Sequence, residues 1–267
     1  MFIRYLENQQ RAWDGLAEND AFWAVLMDPT RKGNKWEPDE FFETGTREVK
    51  TVLDYLHSLG VRPDFDGAAL DFGCGAGRLT QALAARFSRA TGVDISAKMV
   101  ALAEKHNRFP DSCRYISNAS DSLPLAEGTV SFVYSSIALQ HIEPRLVESY
   151  LAEFLRVLKP GGLLVFQVAD QCKSGYFREF ARTIRVRIRR VLENAGLVNG
   201  HMQVFFLREK RVKRILSDRQ CEIKDLQFTN SLAPNFNGDL RYLKAEPETG
   251  LVSKQYCVVK RQNEHTG

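Results

Sequence analysis

A doubly wound, mostly parallel α/β sheet is the fold that the sequence predicts. Three observations predict it. Between Ala68 and Val168, short apolar runs alternate with amphipathic runs at helical spacing. The apolar runs are nearly continuous, the mark of strands covered on both faces. A glycine-rich turn, Asp71-Phe-Gly-Cys-Gly-Ala-Gly-Arg78, joins the first strand to the first helix, where ligands of such sheets gather.

The elements follow in order. The stretch up to about Asp66 reads as helical and holds Trp13, Trp23 and Trp36, with breaks at Asp28-Pro29 and Gly33-Asn34. Val49, Val52, Leu53, Leu56 and Leu59 make Glu48 to Leu59 an amphipathic helix, which Pro63 closes. Strands are predicted at Ala68–Phe72, Ala90–Ile95, Arg114–Ser117, Val130–Ser135 and Leu163–Val168. Between them, Leu79, Leu83 and Phe87 mark one helix face, and Ala97 to Lys105 forms a second helix. Glu143-Pro144 opens a third, with proline in its first turn. Beyond Asp170 the alternation stops. Gly175 to Asn194 and Gln203 to Ser217 read as helices, and Cys221–Phe228 and Lys254–Lys260 as closing strands.

Bulk properties bound the function. The chain has 267 residues, 44% hydrophobic and 26% charged, enough for a full core. Its net charge of +4 is too weak to indicate a nucleic-acid partner. Cys74, Cys113, Cys172, Cys221 and Cys257 form no C-x-x-C pair, so neither a zinc cluster nor a disulfide framework is expected. The N-terminus lacks an apolar leader and no run is long enough to span a membrane. A cytoplasmic protein without a metal is expected.

The glycine turn separates two ligand classes. A dinucleotide site reads G-x-G-x-x-G, and the third glycine would fall on Arg78. The other class has an acid two residues before G-x-G-x-G, which Asp71, Gly73, Gly75 and Gly77 match. There the acid faces a cationic group such as an amino acid's ammonium. Gly73 and Gly75 let a ligand approach the main chain, and Gly77 opens a helix whose N–H groups favour a carboxylate.

LDFGCGAGRLT at Leu70–Thr80 resembles the first motif of class I S-adenosylmethionine-dependent methyltransferases. The resemblance continues through VDIS at Val93–Ser96, SLPLAEGTVSFVYSSIALQHI at Ser122–Ile142 and FLRVLKPGGLLVF at Phe154–Phe166. It covers about Leu70 to Val168 and is closest to bacterial small-molecule members. It implies a Rossmann-like, seven-stranded sheet whose last strand is antiparallel. It also implies S-adenosylmethionine as cofactor. Residues 1–66 would form a helical cap, 67–170 the cofactor-binding core, 171–217 a helical lid or substrate region, and 218–267 the closing strands.

The same resemblance implies site residues. Asp71, Gly73, Cys74, Gly75, Gly77 and Arg78 would form the cofactor turn. Asp94 would accept hydrogen bonds from both ribose hydroxyls, a task suited to a carboxylate's lone pairs, and Ile95 would pack on adenine. Asn118 and Ala119 would meet the adenine edge, although an Asx turn explains Asn118 as well. Ser135 would approach the ligand at the end of the fourth strand. Gln140 and His141 would line the space toward the substrate, with His141 a candidate general base because histidine titrates near neutrality. His201 is a lesser substrate candidate. Thr44, Gly45 and Arg47 would form a flap near the cofactor's carboxylate.

The sulfonium already activates the methyl group, so the reaction needs no metal or covalent nucleophile. The acceptor must be held in line, and water kept out. The expected reaction is methyl transfer to a small molecule, oxygen favoured over nitrogen. Arg178, Arg182, Arg185, Arg187, Arg189 and Arg190 crowd one predicted helix; Arg208, Lys210, Arg211, Lys213 and Arg214 crowd the next. These form a solvated basic face, a site for an anionic substrate, or a nucleic-acid or membrane surface. From Arg182 onward no aromatic residues interleave the arginines of these two runs, and Ser135-Ser-Ile-Ala138 stands where an Asn/Asp-Pro-Pro-Tyr-like segment would be. Both features point away from nucleic acid. An RNA or protein methyltransferase, or a noncatalytic cofactor-binding protein, stays open as an alternative.

Overall fold

The computed structural model describes residues 2–173 and 204–262. Its centre is a sheet of β1 (Ala68–Phe72), β2 (Arg89–Asp94), β3 (Cys113–Ser117), β4 (Val130–Ser135), β5 (Leu158–Lys173), β6 (Cys221–Thr229), β7 (Tyr242–Leu243) and β8 (Gly250–Lys260). The order across the sheet is β3-β2-β1-β4-β5-β8-β6-β7. Strands β1 to β5 pair in parallel, and β8 runs antiparallel between β5 and β6. The sheet thus has eight strands, not the expected seven. The eighth, β7, pairs only Tyr242 and Leu243 with Thr229 and Phe228, too short for any period-2 pattern to show.

Helices cover both faces. One core unites α2 (Pro38–Ser58), α3 (Arg78–Ala84) and α4 (Ala97–Lys105) with the sheet through Val52, Leu56, Leu83, Val100 and Val165. The opposite core joins α5 (Pro144–Val157) and α6 (Glu209–Ser217) to it through Leu151, Phe154, Val212, Phe166 and Tyr256. Helix α2 begins ten residues before the predicted Glu48. Pro38 sits in its first turn, and Phe41, Phe42 and Gly45 extend the buried stripe.

Helix α1 (Ile3–Val25) crosses the carboxyl ends of the strands. Its Asp14 accepts a hydrogen bond from Ser96 Oγ at 2.6 Å, and its Tyr5 accepts one from the Glu143 N–H at 3.0 Å. Asp20 breaks the helix with an extended backbone, and its carboxylate accepts from the N–H groups of Gly33 and Asn34 at 2.7 and 2.9 Å. The helix predicted over Gly175–Asn194 lies outside the described residues. The helix predicted from Gln203 starts only at Glu209. Phe205 and Leu207 instead donate their N–H groups to Gln140 and Ala169 carbonyls, at 2.7 and 2.8 Å. Among the described residues no helix is long and apolar enough to cross a membrane.

Candidate active site

The glycine turn leaves the carboxyl end of β1 and enters α3. Gly77 caps that helix with φ 85°, and a Cβ there would meet Tyr115 Oη at 2.5 Å. Only glycine satisfies both constraints. The Gly75 N–H donates to Asp94 Oδ2 at 2.8 Å, and the Ser96 N–H donates to Asp94 Oδ1 at 2.8 Å. Asp94 therefore ties the turn to the end of β2. Burial raises its carboxyl above the usual range, opposed by those two N–H groups. A carboxylate keeps further lone pairs for a diol.

Asp71 lies beneath the turn, fully buried. Thr80 Oγ1 donates to its Oδ2 at 2.7 Å, while Oδ1 has no hydrogen-bond partner among the described residues. Burial pushes its carboxyl up to about 7. A buried acid with an unmatched oxygen suits a nearby cation or donor. The orphaned oxygen, the backbone cradle and the Asp94 carboxylate together fit a ligand that carries an ammonium, a carboxylate and a ribose.

Several expected contacts need correction. The Arg78 guanidinium turns inward and pairs with Glu48 at 2.8 Å, with 2% and 0% of the side chains exposed. Tyr134 Oη donates to the other Glu48 oxygen at 2.8 Å. Arg78 thus fastens α2 to the sheet, and only its backbone belongs to the turn. The Cys74 side chain likewise faces the core, with its thiol pushed up by burial. Ser135 is fully buried, and its hydroxyl donates to the Phe72 carbonyl at 3.0 Å, joining the ends of β4 and β1. The Thr44-Gly45-Arg47 flap is a packed stretch of α2. A Cβ on Gly45 would stand 2.2 Å from the Arg78 carbonyl oxygen. Arg47, about 200° farther round the helix, pairs with Asp239 at 3.0 Å on the exposed side.

Asn118 donates its side-chain amide to the Ser122 carbonyl at 2.8 Å, closing its own loop, and Ala119 beside it is exposed. Ile95 is half-buried against the α5-side core. Gln140 and His141 stand together above the turn. The Gln140 Nε2 lies 3.4 Å from His141 Nε2, and the Trp13 ring meets the imidazole edge-on at 5.4 Å. Ala138 of the same loop backs onto Gly73, where a Cβ would come within 2.3 Å of its methyl group. His201 and Arg178 to Arg190 lie outside the described residues. On α6, Arg211 pairs with Glu148 and Lys213 with Glu209, both at 2.6 Å.

Sequence reasoning missed Glu48, Tyr134, Thr80 and Val25. Glu48 carried a signal: it shares the stripe of Gly45, Val52 and Leu56, where a lone acid requires a buried partner. Val25 carried none. It ends α1 and lies over the turn, so that a Cβ on Gly75 would meet its Cγ2 at 2.8 Å.

The topology and the turn resemble those of class I S-adenosylmethionine-dependent methyltransferases. Residues 70–166 match the family described as a methyltransferase domain. An uncharacterised methyltransferase of Synechocystis sp. is 33% identical over 115 residues, covering 43% of this chain and 51% of that one. A malonyl-[acyl-carrier protein] O-methyltransferase of Methylococcus capsulatus is 32% identical over 141 residues, covering 52% and 50%. The chain thus spans about half the length of these curated relatives. The crystal structure of geranyl diphosphate C-methyltransferase from Streptomyces coelicolor A3(2) superimposes with a TM-score of 0.60 at 16% identity, covering 96% and 97% of the two chains. That structure holds S-adenosyl-L-homocysteine.

Proposed function

We propose that this protein transfers a methyl group from S-adenosylmethionine to a small-molecule acceptor, to oxygen in preference to nitrogen. The supporting observation is the Asp94 carboxylate bonded to Gly75, beneath a loop that presents Gln140 and His141. The cofactor supplies an activated methyl. The acceptor's O–H gives up its proton, the new O–C bond forms as the C–S bond breaks, and sulfur keeps the electron pair. The protein's own part is to hold the two reactants in line and exclude water.

In this reading Asp71 answers the cofactor's ammonium, and Asp94 holds the ribose. Ile95, Asn118 and Ala119 border the adenine. His141 takes the acceptor's proton, with Gln140 beside it. The O-methyltransferase among the relatives supports oxygen as the target. The residues crossing from α1, Trp13 and Tyr5, would close the acceptor side. The test is transfer of labelled methyl to phenols, alcohols, sugars, carboxylates and amines, beside calorimetry with S-adenosylhomocysteine. Binding without transfer to any of them counts against the enzyme reading, and no binding counts against the cofactor assignment.

A further inference from the structure

The carboxyl end of the sheet carries neutral polar side chains where an apolar core is the rule. On the α2 side, Gln167 of β5, Gln255 of β8 and Gln227 of β6 lie in one row across three strands. The next row holds Ala169, Ser253 and Thr229. Most of this patch is satisfied internally. Gln255 donates to Tyr242 Oη at 2.9 Å, Gln227 donates to Asp225 at 2.8 Å, and the hydroxyls of Thr229, Ser231 and Ser253 lie 2.7–3.0 Å apart.

Gln167 differs. Its Oε1 accepts from the Ile137 N–H at 2.9 Å. That donor fixes which end of the amide is oxygen, so Nε2 faces the other way. Among the described residues this Nε2 has no hydrogen-bond partner, at 1% exposure of the side chain. Native proteins leave few such groups unmatched, because each costs about 1–3 kcal/mol. Ile137 itself has φ 51°. A β-branched residue rarely takes that conformation, and such strain gathers at ligand sites. Three residues on, Gln140 carries the opposite group. Its Oε1 is an acceptor without a partner among the described residues, at 4% exposure.

We infer that Gln167 Nε2 and Gln140 Oε1 form the pair that recognises the acceptor, and that they take a neutral hydroxyl on an apolar molecule. A hydroxyl offers a lone pair to the first and directs its proton to the second, from where the neighbouring His141 takes it as the methyl group arrives. A carboxylate has no proton for Gln140, and an ammonium has no lone pair for Gln167. Among the described residues the hydrogen bonds of Gln167, Gln140, Gln255, Ser253, Thr229 and Ser231 involve no lysine or arginine, so an anion there would find no compensating charge among these partners. Lys254 is spoken for: it pairs with Asp170 and Glu209 at 3.3 and 2.7 Å. The apolar body follows from Ile137, which packs with Phe236, Leu26 and Trp36 in one cluster.

This inference rests on the methyl-transfer reading, and its test separates the two. Gln167→Glu keeps the length and the acceptor for Ile137 but replaces the donor with an acceptor; Gln167→Met and Gln140→Met remove the polar groups. Each is assayed for S-adenosylhomocysteine binding by calorimetry and for transfer of labelled methyl to p-cresol, 1-octanol, benzoate and benzylamine. The wild type should prefer p-cresol or octanol. The Gln167 variants should raise KM for that acceptor at least tenfold, with kcat and S-adenosylhomocysteine affinity within threefold. Unchanged KM in both Gln167 variants, a preference for benzoate or benzylamine, or no transfer to either hydroxyl compound overturns the hydroxyl assignment. Loss of cofactor-product binding by the wild type would overturn the methyl-transfer reading itself.

Discussion

The Gly75 N–H points at the Asp94 carboxylate across 2.8 Å, so the acid that ends β2 braces the turn that ends β1. A residue expected to hold a ribose also shapes the loop beside it. Asp94→Ala should therefore weaken S-adenosylhomocysteine binding more than loss of a diol contact alone. Hydrogen bonds to a charged group are worth about 1.5–3 kcal/mol each, which is roughly 10- to 100-fold in affinity. Calorimetry measures it, and an affinity within threefold of wild type would remove Asp94 from the site.

Asp71 makes stability depend on pH. Its folded-state carboxyl titrates at about 7, against an ordinary value of 3.8. Between those values the folded state holds a proton that the unfolded state has lost. Stability from this group is full below about 3.8, falls as pH rises toward 7, and is level above it. Asp71→Asn should flatten that slope in urea melts at pH 4 to 8. Parallel curves for the two proteins would show that Asp71 is not the source.

Glu48 and Arg78 stand or fall together. Glu48→Gln leaves a buried guanidinium without its counter-charge and should cost about 3–5 kcal/mol. Replacing both, with Glu48→Leu and Arg78→Met, should recover much of that loss. Urea unfolding of the two single variants and the double variant gives the coupling.

Arg47→Ala should leave cofactor affinity unchanged. Its pair with Asp239 is half-exposed, and exposed pairs contribute about 0–1 kcal/mol. A tenfold weaker affinity for S-adenosylhomocysteine would restore the flap role that the sequence suggested.

His141→Gln separates proton removal from packing. As a general base, His141 should contribute roughly 10²–10⁴-fold to kcat. Its loss should abolish the acidic limb of the pH–rate profile while S-adenosylhomocysteine still binds. An unaltered profile would leave the imidazole a packing role against Trp13.

The turn and the strands β1 to β5 were legible because each is a local pattern tied to one chain position. Gly73, Gly75 and Gly77 announce a backbone that others cannot adopt, and β1 to β5 announce themselves by apolar runs. What escaped was pairing over distance. Asp14 reaches Ser96 and Tyr134 reaches Glu48, 82 and 86 residues apart. Neither contact leaves a trace in periodicity. Gln167 escaped for a different reason: inside an apolar strand, one amide reads as a tolerated exception until its partner on Ile137 is seen. Thr44, Gly45 and Arg47 were read as a flap from a short motif, and the helix that Pro38 begins, which carries all three, was not seen in that motif.

The buried Glu48–Arg78 pair has a consequence for how the protein could be divided. Residues 1–66 read as a cap on a cofactor-binding core, yet among the described residues the ion-pair partner of the fully enclosed Arg78 comes from within that cap. A fragment beginning at residue 67 would carry a stranded positive charge against its first helix. On this ground the motif-bearing stretch is expected to be a unit of recognition but not an independent unit of folding. Grafting it onto another protein would require carrying an acid along with it, or replacing Arg78 first.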